Sequence, residues 1–209
     1  MQPVLQQGPS WLVFLGDIDP PGMTFREALA PLLEAFPSIK VGFIHGNHDA
    51  DSHEAWARLH DAGDAVPLHG RVVDLDGVRV AGLGGNFLGR VWYPPEAPRA
   101  TSRHEATYRH PNLVRRGQLH APSLHGAIYK DELDALAALQ ADVLVTHEAF
   151  SCHHHGWEVL DQLARDLGVV RAFHGHTHDD RTAEYALQRE RLGFDTVAVN
   201  FRCICHGSP

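Results

Sequence analysis

Cysteine is scarce in this chain, with three residues (Cys152, Cys203 and Cys205) among 209. So few thiols, in an odd number, do not make the disulfide framework of a secreted domain, and we expect a cytoplasmic protein. Long apolar runs are also missing: no stretch approaches the ~20 residues that span a bilayer. Residues 1–10 contain no lysine or arginine, whereas a signal peptide would begin with a basic segment. We therefore expect no membrane partner.

Positive charge is in deficit. The chain has 18 lysines and arginines against 26 aspartates and glutamates, a net charge of −8. This balance excludes a protein that coats nucleic acid by bulk charge, so nucleic acid is expected only as a substrate. Histidine is abundant instead, with 17 residues, and it is the commonest metal ligand in proteins.

Short apolar runs alternate with segments whose apolar residues recur every three to four positions. The length and the ordinary globular composition favour a single domain over residues 1–209. The alternation predicts an α/β fold, layered, with a mixed sheet. The predicted strands are 11–15, 40–45, 71–75, 78–82, 142–146, 169–174, 185–187 and 196–200. The predicted helices are 24–36, 53–60, 130–140 and 157–167.

Residues 84–126 form an irregular insertion without a helical or strand period. Between residues 90 and 125 this insertion contains six arginines against two glutamates, a local excess of four positive charges in an acidic chain. A solvated loop is one interpretation. The other is a basic lid over an anionic substrate, because arginine matches phosphate oxygens. On that interpretation the substrate-binding candidates are Arg90, Arg99, Arg103, Arg109, Arg115 and Arg116.

Polar motifs follow four of the predicted strands. Gly16-Asp17 follows the first, Gly46-Asn47-His48-Asp49 the second, His147 the strand 142–146, and Gly175-His176-Thr177-His178 the strand 169–174. The carboxyl ends of strands are where ligands bind in α/β sheets. Oxygen and nitrogen donors together suit Mn, Fe or Zn.

In this order the motifs resemble those of the calcineurin-like metallophosphoesterases, which carry D-x-H, G-D-x-x-D, G-N-H-[DE], a lone histidine and G-H-x-H. The resemblance covers residues 11–200. It implies a metallophosphoesterase-like mixed β-sheet sandwich flanked by helices. It also implies hydrolysis of phosphomonoesters or phosphodiesters by a metal-activated water, with a phosphorylated small molecule or a nucleotide as substrate.

The resemblance assigns a role to each matched residue. Asp17 would bridge two ions, and His48 would face the phosphate and protonate the leaving group, with Asp49 orienting His48. The metal ligands that it implies are Asp17, Asn47, His147, His176 and His178.

The chain departs from the family pattern at its start, because the D-x-H motif is missing and the G-D motif reads Gly16-Asp17-Ile18-Asp19. Asp19 is therefore a further candidate ligand. We expect one tightly held ion and a second that is weak or absent. Two alternatives stay open: a truncated chain, and a degenerate phosphoesterase fold that acts as a binding or interaction module.

The missing motif also concerns assembly. Without the strand that should precede it, strand 11–15 would lie at an edge of the sheet, and exposed edges pair with other chains. We therefore expect a homodimer, or residues 1–10 folded over that edge.

Overall fold

A computed structural model describes residues 8–18, 20–109, 114–115, 118–119, 121–179, 181–200 and 203–205. Its strands are Trp11–Leu15 (β1), Lys40–Ile44 (β2), Val66–Pro67 (β3), Arg71–Leu75 (β4), Val78–Leu83 (β5), Val114–Arg115 (β6), Gln118–Leu119 (β7), Val143–Thr146 (β8), Arg171–His174 (β9) and Asp195–Ala198 (β10). Its α-helices are Phe25–Ala35 (α1), His53–His60 (α2), Arg103–Arg109 (α3), Lys130–Ala137 (α4), Glu158–Leu167 (α5), Thr182–Ala186 (α6) and Arg189–Leu192 (α7).

The strands form two main sheets. The small sheet has the order β1-β2-β3 and is parallel throughout. The large sheet has the order β10-β9-β8-β5-β4, parallel except for β4, which pairs antiparallel with β5 across the Asp76-Gly77 turn. The large sheet is therefore mixed, as predicted.

The two sheets pack face to face. Ile44 of β2 shares one apolar cluster with Val80 of β5 and with Val143 and Val145 of β8. Successive residues of a strand point to opposite faces, so Leu144 packs on the other side of the large sheet. This alternation makes the central layer a β-sandwich.

Helices cover both outer faces of the sandwich. Helix α1 begins with a capping box, in which Thr24 accepts from the Glu27 amide and Glu27 accepts from the Thr24 amide. Its Phe25 and Leu29 pack against Val41 and Phe43 of the small sheet. Helices α4 and α5 cover the large sheet. The predicted sandwich flanked by helices is confirmed.

Two local predictions are wrong. Residues 185–187, predicted as a strand, fall in and just after helix α6, where Tyr185 is buried. Three apolar residues cannot distinguish a strand from one buried helical turn. The insertion 84–126 contains helix α3, and it is anchored by a bridge between Asn86 and Ala127.

Strand β1 pairs only with β2 among the described residues, so it lies at the edge of the small sheet there. Homodimerisation through this edge stays a prediction. Across the described residues, the helices are all too short or too polar to cross a membrane.

Candidate metal centre

Three side chains from separate strand ends converge between the sheets. Asp17 follows β1, His147 follows β8, and His176 follows β9. One ligand atom from each lies within 4.8 Å of the others, and the two imidazole centroids are 4.8 Å apart. We call this group, together with Asn47, the metal centre.

The backbone at the metal centre is both strained and crowded. Asp17 and His176 have left-handed φ angles of 52° and 62°, which few non-glycine residues adopt and which concentrate at functional sites. A Cβ atom on Gly46 would lie 2.2 Å from Asp17 Oδ1 and 2.6 Å from His147 Cε1. A glycine at position 46 is therefore what allows the two side chains to meet.

The tautomer of His147 is fixed by the first strand. Its Nδ1–H donates to the carbonyl of Leu15 at 2.7 Å. Its Nε2 then lies 3.0 Å from Asn47 Oδ1 and 3.4 Å from Asp17 Oδ2. A backbone carbonyl that orients a metal-binding imidazole in this way is a common outer-shell arrangement.

This donor set fits a divalent transition metal. A carboxylate oxygen, an amide oxygen and two imidazole nitrogens direct lone pairs at one another, an arrangement that a cation stabilises. Mn, Fe and Zn accept such mixed ligands. The metal identity stays a prediction.

Local electrostatics keep two of these donors, Asp17 and His176, in metal-binding form. For His147, burial lowers the pKa, but the pairing with Asp17 outweighs this effect and raises the pKa above its ordinary value. Burial lowers the pKa of His176 to about 4, aided by the charge of His147, so His176 is neutral at pH 7. Burial raises the pKa of Asp17, but its pairing with His147 outweighs this and leaves the pKa below its ordinary value. Asp17 is therefore ionised at neutral pH.

The role of Asp49 in orienting His48 stays a prediction, and the structure shows two backbone partners for its carboxylate. Asp49 is fully buried, and its two carboxylate oxygens accept from the backbone amides of Ile18 and Gly46, both at 2.7 Å. It therefore ties the β1 loop to the β2 loop. The carboxylate at the His48 ring is that of Asp51, 2.9 Å from Nδ1.

His48 is itself held at the metal centre. Its backbone N–H donates to Asp17 Oδ1 at 2.9 Å, while its ring is well exposed. The hydrogen bond that the His48 ring donates to the Asp51 carboxylate raises the pKa of His48 above its ordinary value, against a smaller opposing effect of burial. The cationic ring is thus favoured beside the site.

Two further predicted ligands are not placed in this group. His178 lies two residues beyond His176, exposed and with a left-handed φ of 52°, and the convergent group of three does not include it. Asp19 lies outside the described residues.

The arginines of the insertion differ in their contacts and exposure. Arg103 supports the fold of the insertion, because it donates to the carbonyls of Leu124 and His125 at 3.2 and 3.1 Å and lies over the ring of Tyr129; its part in substrate binding stays a prediction. Arg90 is exposed and bonds Ser123, and Arg99 is exposed. Substrate binding by these two stays a prediction. The side chains of Arg109, Arg115 and Arg116 lie outside the described residues.

Two acidic residues escaped the sequence analysis. Asp51 stands three positions after His48, a spacing that brings side chains together on one helical turn and could have identified it. Glu148 directly follows His147, and it accepts from the Phe87 amide and from the Trp157 indole, both at 3.1 Å. No sequence signal linked Glu148 to partners so distant along the chain.

Comparison with known proteins shows which sequences and structures this chain resembles. The family model described as calcineurin-like phosphoesterase matches residues 2–180. An uncharacterised protein of Haemophilus influenzae is 35% identical over 192 residues, covering 90% of this chain and 81% of that protein. The crystal structure of TT1561 of Thermus thermophilus aligns with a TM-score of 0.47 and 14% identity, over 83% of this chain and 72% of that one.

Proposed function

This chain belongs to the calcineurin-like phosphoesterase family, and on that premise we propose that it catalyses metal-dependent hydrolysis of phosphate monoesters or diesters. The observation that carries the proposal is the convergence of Asp17, His147 and His176 from three strand ends. Asn47 Oδ1, 3.0 Å from His147 Nε2, adds a fourth donor to the same point.

The metal centre would bind one divalent ion through Asp17, Asn47, His147 and His176. Such an ion polarises a phosphoryl oxygen and lowers the pKa of water toward neutrality. The Leu15 carbonyl and Asp49 would hold the ligands in place, because they fix the His147 ring and the two loops that carry Asp17 and Asn47.

His48 is the proposed general acid. Its backbone amide donates to Asp17, which places the residue beside the metal centre, and the Asp51 carboxylate favours the protonated ring. A protonated imidazole can donate to the leaving alkoxide, which leaves poorly as an anion. Asp51 therefore supports the proton donor, not the metal.

The biological setting that goes with this proposal is a cytoplasmic enzyme acting on a phosphorylated small molecule or a nucleotide, as a homodimer. A degenerate scaffold is the competing hypothesis. It is favoured only if the purified chain retains no metal and hydrolyses no phosphoester.

The test compares His48→Ala with the wild-type chain and with His104→Ala, an exposed histidine outside the centre. With Mn²⁺ added, the wild type should hydrolyse bis(4-nitrophenyl) phosphate. His48→Ala should lower turnover by ~10²–10⁴-fold on an alkyl ester and less on the nitrophenyl ester, which needs no proton. Metal content, measured by mass spectrometry, should not change.

The His104→Ala control should behave like the wild type. Equal loss of metal and activity in His48→Ala would show that His48 is a ligand, and equal turnover in variant and wild type would refute its role as acid.

A further inference from the structure

A cavity of about 770 Å³ opens beside the metal centre and shares His176 with it. Its volume lies within the range of small-molecule sites, ~300–1,000 Å³. Because His176 belongs to both, a phosphoryl group held at the metal centre would direct its ester group into this cavity.

One wall of the cavity is aromatic. Phe87 and Tyr93 come from the insertion 84–126, and Trp157 precedes helix α5. The ring of Trp157 lies 4.7 Å from that of Phe87 and 4.8 Å from that of Tyr93, centroid to centroid. Phe87 is buried, whereas Tyr93 is 52% exposed and free to contact a ligand.

Glu148 gives this wall a fixed shape. It is 6% exposed and receives one hydrogen bond from the Trp157 indole and one from the Phe87 amide. Since Glu148 directly follows His147, the same segment of chain positions a metal ligand and the aromatic wall. The position of the aromatic wall relative to the metal centre is therefore fixed.

The rest of the cavity lining is mostly polar and contains three consecutive histidines and one arginine. It includes His153–His155 and the exposed Arg181. Asp179 also lines the cavity, but His153 lies 3.3 Å from its carboxylate and Tyr185 donates to it at 3.0 Å. An anionic group on the ligand would thus meet imidazoles and a guanidinium.

Building on the proposed function, we propose that this cavity binds a planar aromatic ring in the ester group of the substrate. The ring is either a nucleobase or a simple aryl ring. Stacking on aromatic side chains is the interaction by which proteins hold such groups without reading their edges. The insertion 84–126 would then select substrate through the exposed Tyr93, with the buried Phe87 supporting the aromatic wall.

The test measures binding of paired ligands to the Mn²⁺-loaded chain by isothermal titration calorimetry. Adenosine 5′-monophosphate and ribose 5-phosphate share phosphate and sugar and differ only in the base. The wild type should bind the nucleotide about 10-fold or more tightly than the sugar phosphate, the order expected of one stacked base. Phenyl phosphate distinguishes a general aryl site from a nucleobase site. If it binds as tightly as the nucleotide does, the cavity is a general aryl site, and if it binds more weakly, the cavity is a nucleobase site.

Three variants complete the design. Tyr93→Ala should weaken nucleotide binding by about 10-fold and leave ribose 5-phosphate within twofold, whereas Tyr93→Phe should retain the preference. Tyr108→Ala, an 80% exposed tyrosine of the same insertion that does not line the cavity, should behave like the wild type.

The inference is overturned if the wild type binds both ligands equally, or if Tyr93→Ala weakens both to the same extent. It can fail independently of the proposed function. Hydrolysis without a preference for the nucleotide refutes the aromatic site alone, and preferential binding without any hydrolysis refutes the phosphoesterase alone.

Discussion

Replacement of Gly46 by alanine should weaken metal binding. The backbone of Gly46 does not have a left-handed φ, so alanine meets no conformational penalty there. Its Cβ would nevertheless lie 2.2 Å from Asp17 Oδ1, 2.5 Å from Asp17 N and 2.6 Å from His147 Cε1. The new Cβ atom would thus lie too close to the side chain and backbone of Asp17 and to the buried ring of His147.

The size of the effect follows from these distances. Real Cβ atoms essentially never approach another heavy atom within 3.0 Å, so Asp17 Oδ1 must move by at least about 0.8 Å. Metal–ligand distances tolerate changes of only about 0.2 Å. Displacing outer-shell partners alone costs ~10–100-fold in metal affinity. Moving a ligand should cost more, so we expect a loss of about 100-fold or greater.

Overpacking should also lower the free energy of unfolding by ~1–3 kcal/mol. The assay is a competitive Mn²⁺ titration together with urea unfolding, on Gly46→Ala and on Gly89→Ala, whose Cβ would meet nothing within 4 Å. Gly89→Ala should match the wild type in both measurements. Wild-type metal affinity in Gly46→Ala would show that Asp17 and His147 do not meet at this point, and the reasoning would fail.

Two further predictions concern the acidic residues that the structure identified. Asp51→Asn should lower the pKa of His48, because the carboxylate that favours the imidazolium is gone. The alkaline limb of the plot of turnover against pH should then move to lower pH. The control is Asp64→Asn, at an exposed residue remote in sequence, which should leave that limb in place. If the alkaline limb of Asp51→Asn stays at the wild-type pH, His48 is excluded as the titrating acid. Glu148→Ala should lower the free energy of unfolding by ~2–4 kcal/mol, since the Phe87 amide and the Trp157 indole lose their acceptor. Urea denaturation measures this, and a loss no larger than that of the exposed Glu96→Ala would refute the bridging role.

The sequence by itself determined the layers and the strand ends. Short runs rich in apolar residues identified β1, β2, β8 and β9, because strands packed inside a layered fold carry few polar side chains. Since the polar motifs directly follow these runs, the candidate ligands could be placed at one edge of the fold before any coordinates were known. Periodicity is a local property of the chain, and it decides local structure.

Only the tertiary structure decided what each polar or aromatic side chain contacts. Asp49 and Asp51 both lie close to His48 in the sequence, but the Asp49 carboxylate accepts from the Ile18 and Gly46 amides, whereas the Asp51 carboxylate contacts the His48 ring. Arg103 likewise has the positive charge expected of a residue that binds phosphate, yet it donates to backbone carbonyls of its own insertion.

The aromatic wall shows the same limit. Phe87 and Trp157 lie far apart in the chain and become neighbours only when the insertion packs over the large sheet, with Glu148 between them. Such contacts depend on how distant segments pack together. The direction of a side chain is set by that packing, and residue order alone carries no record of it.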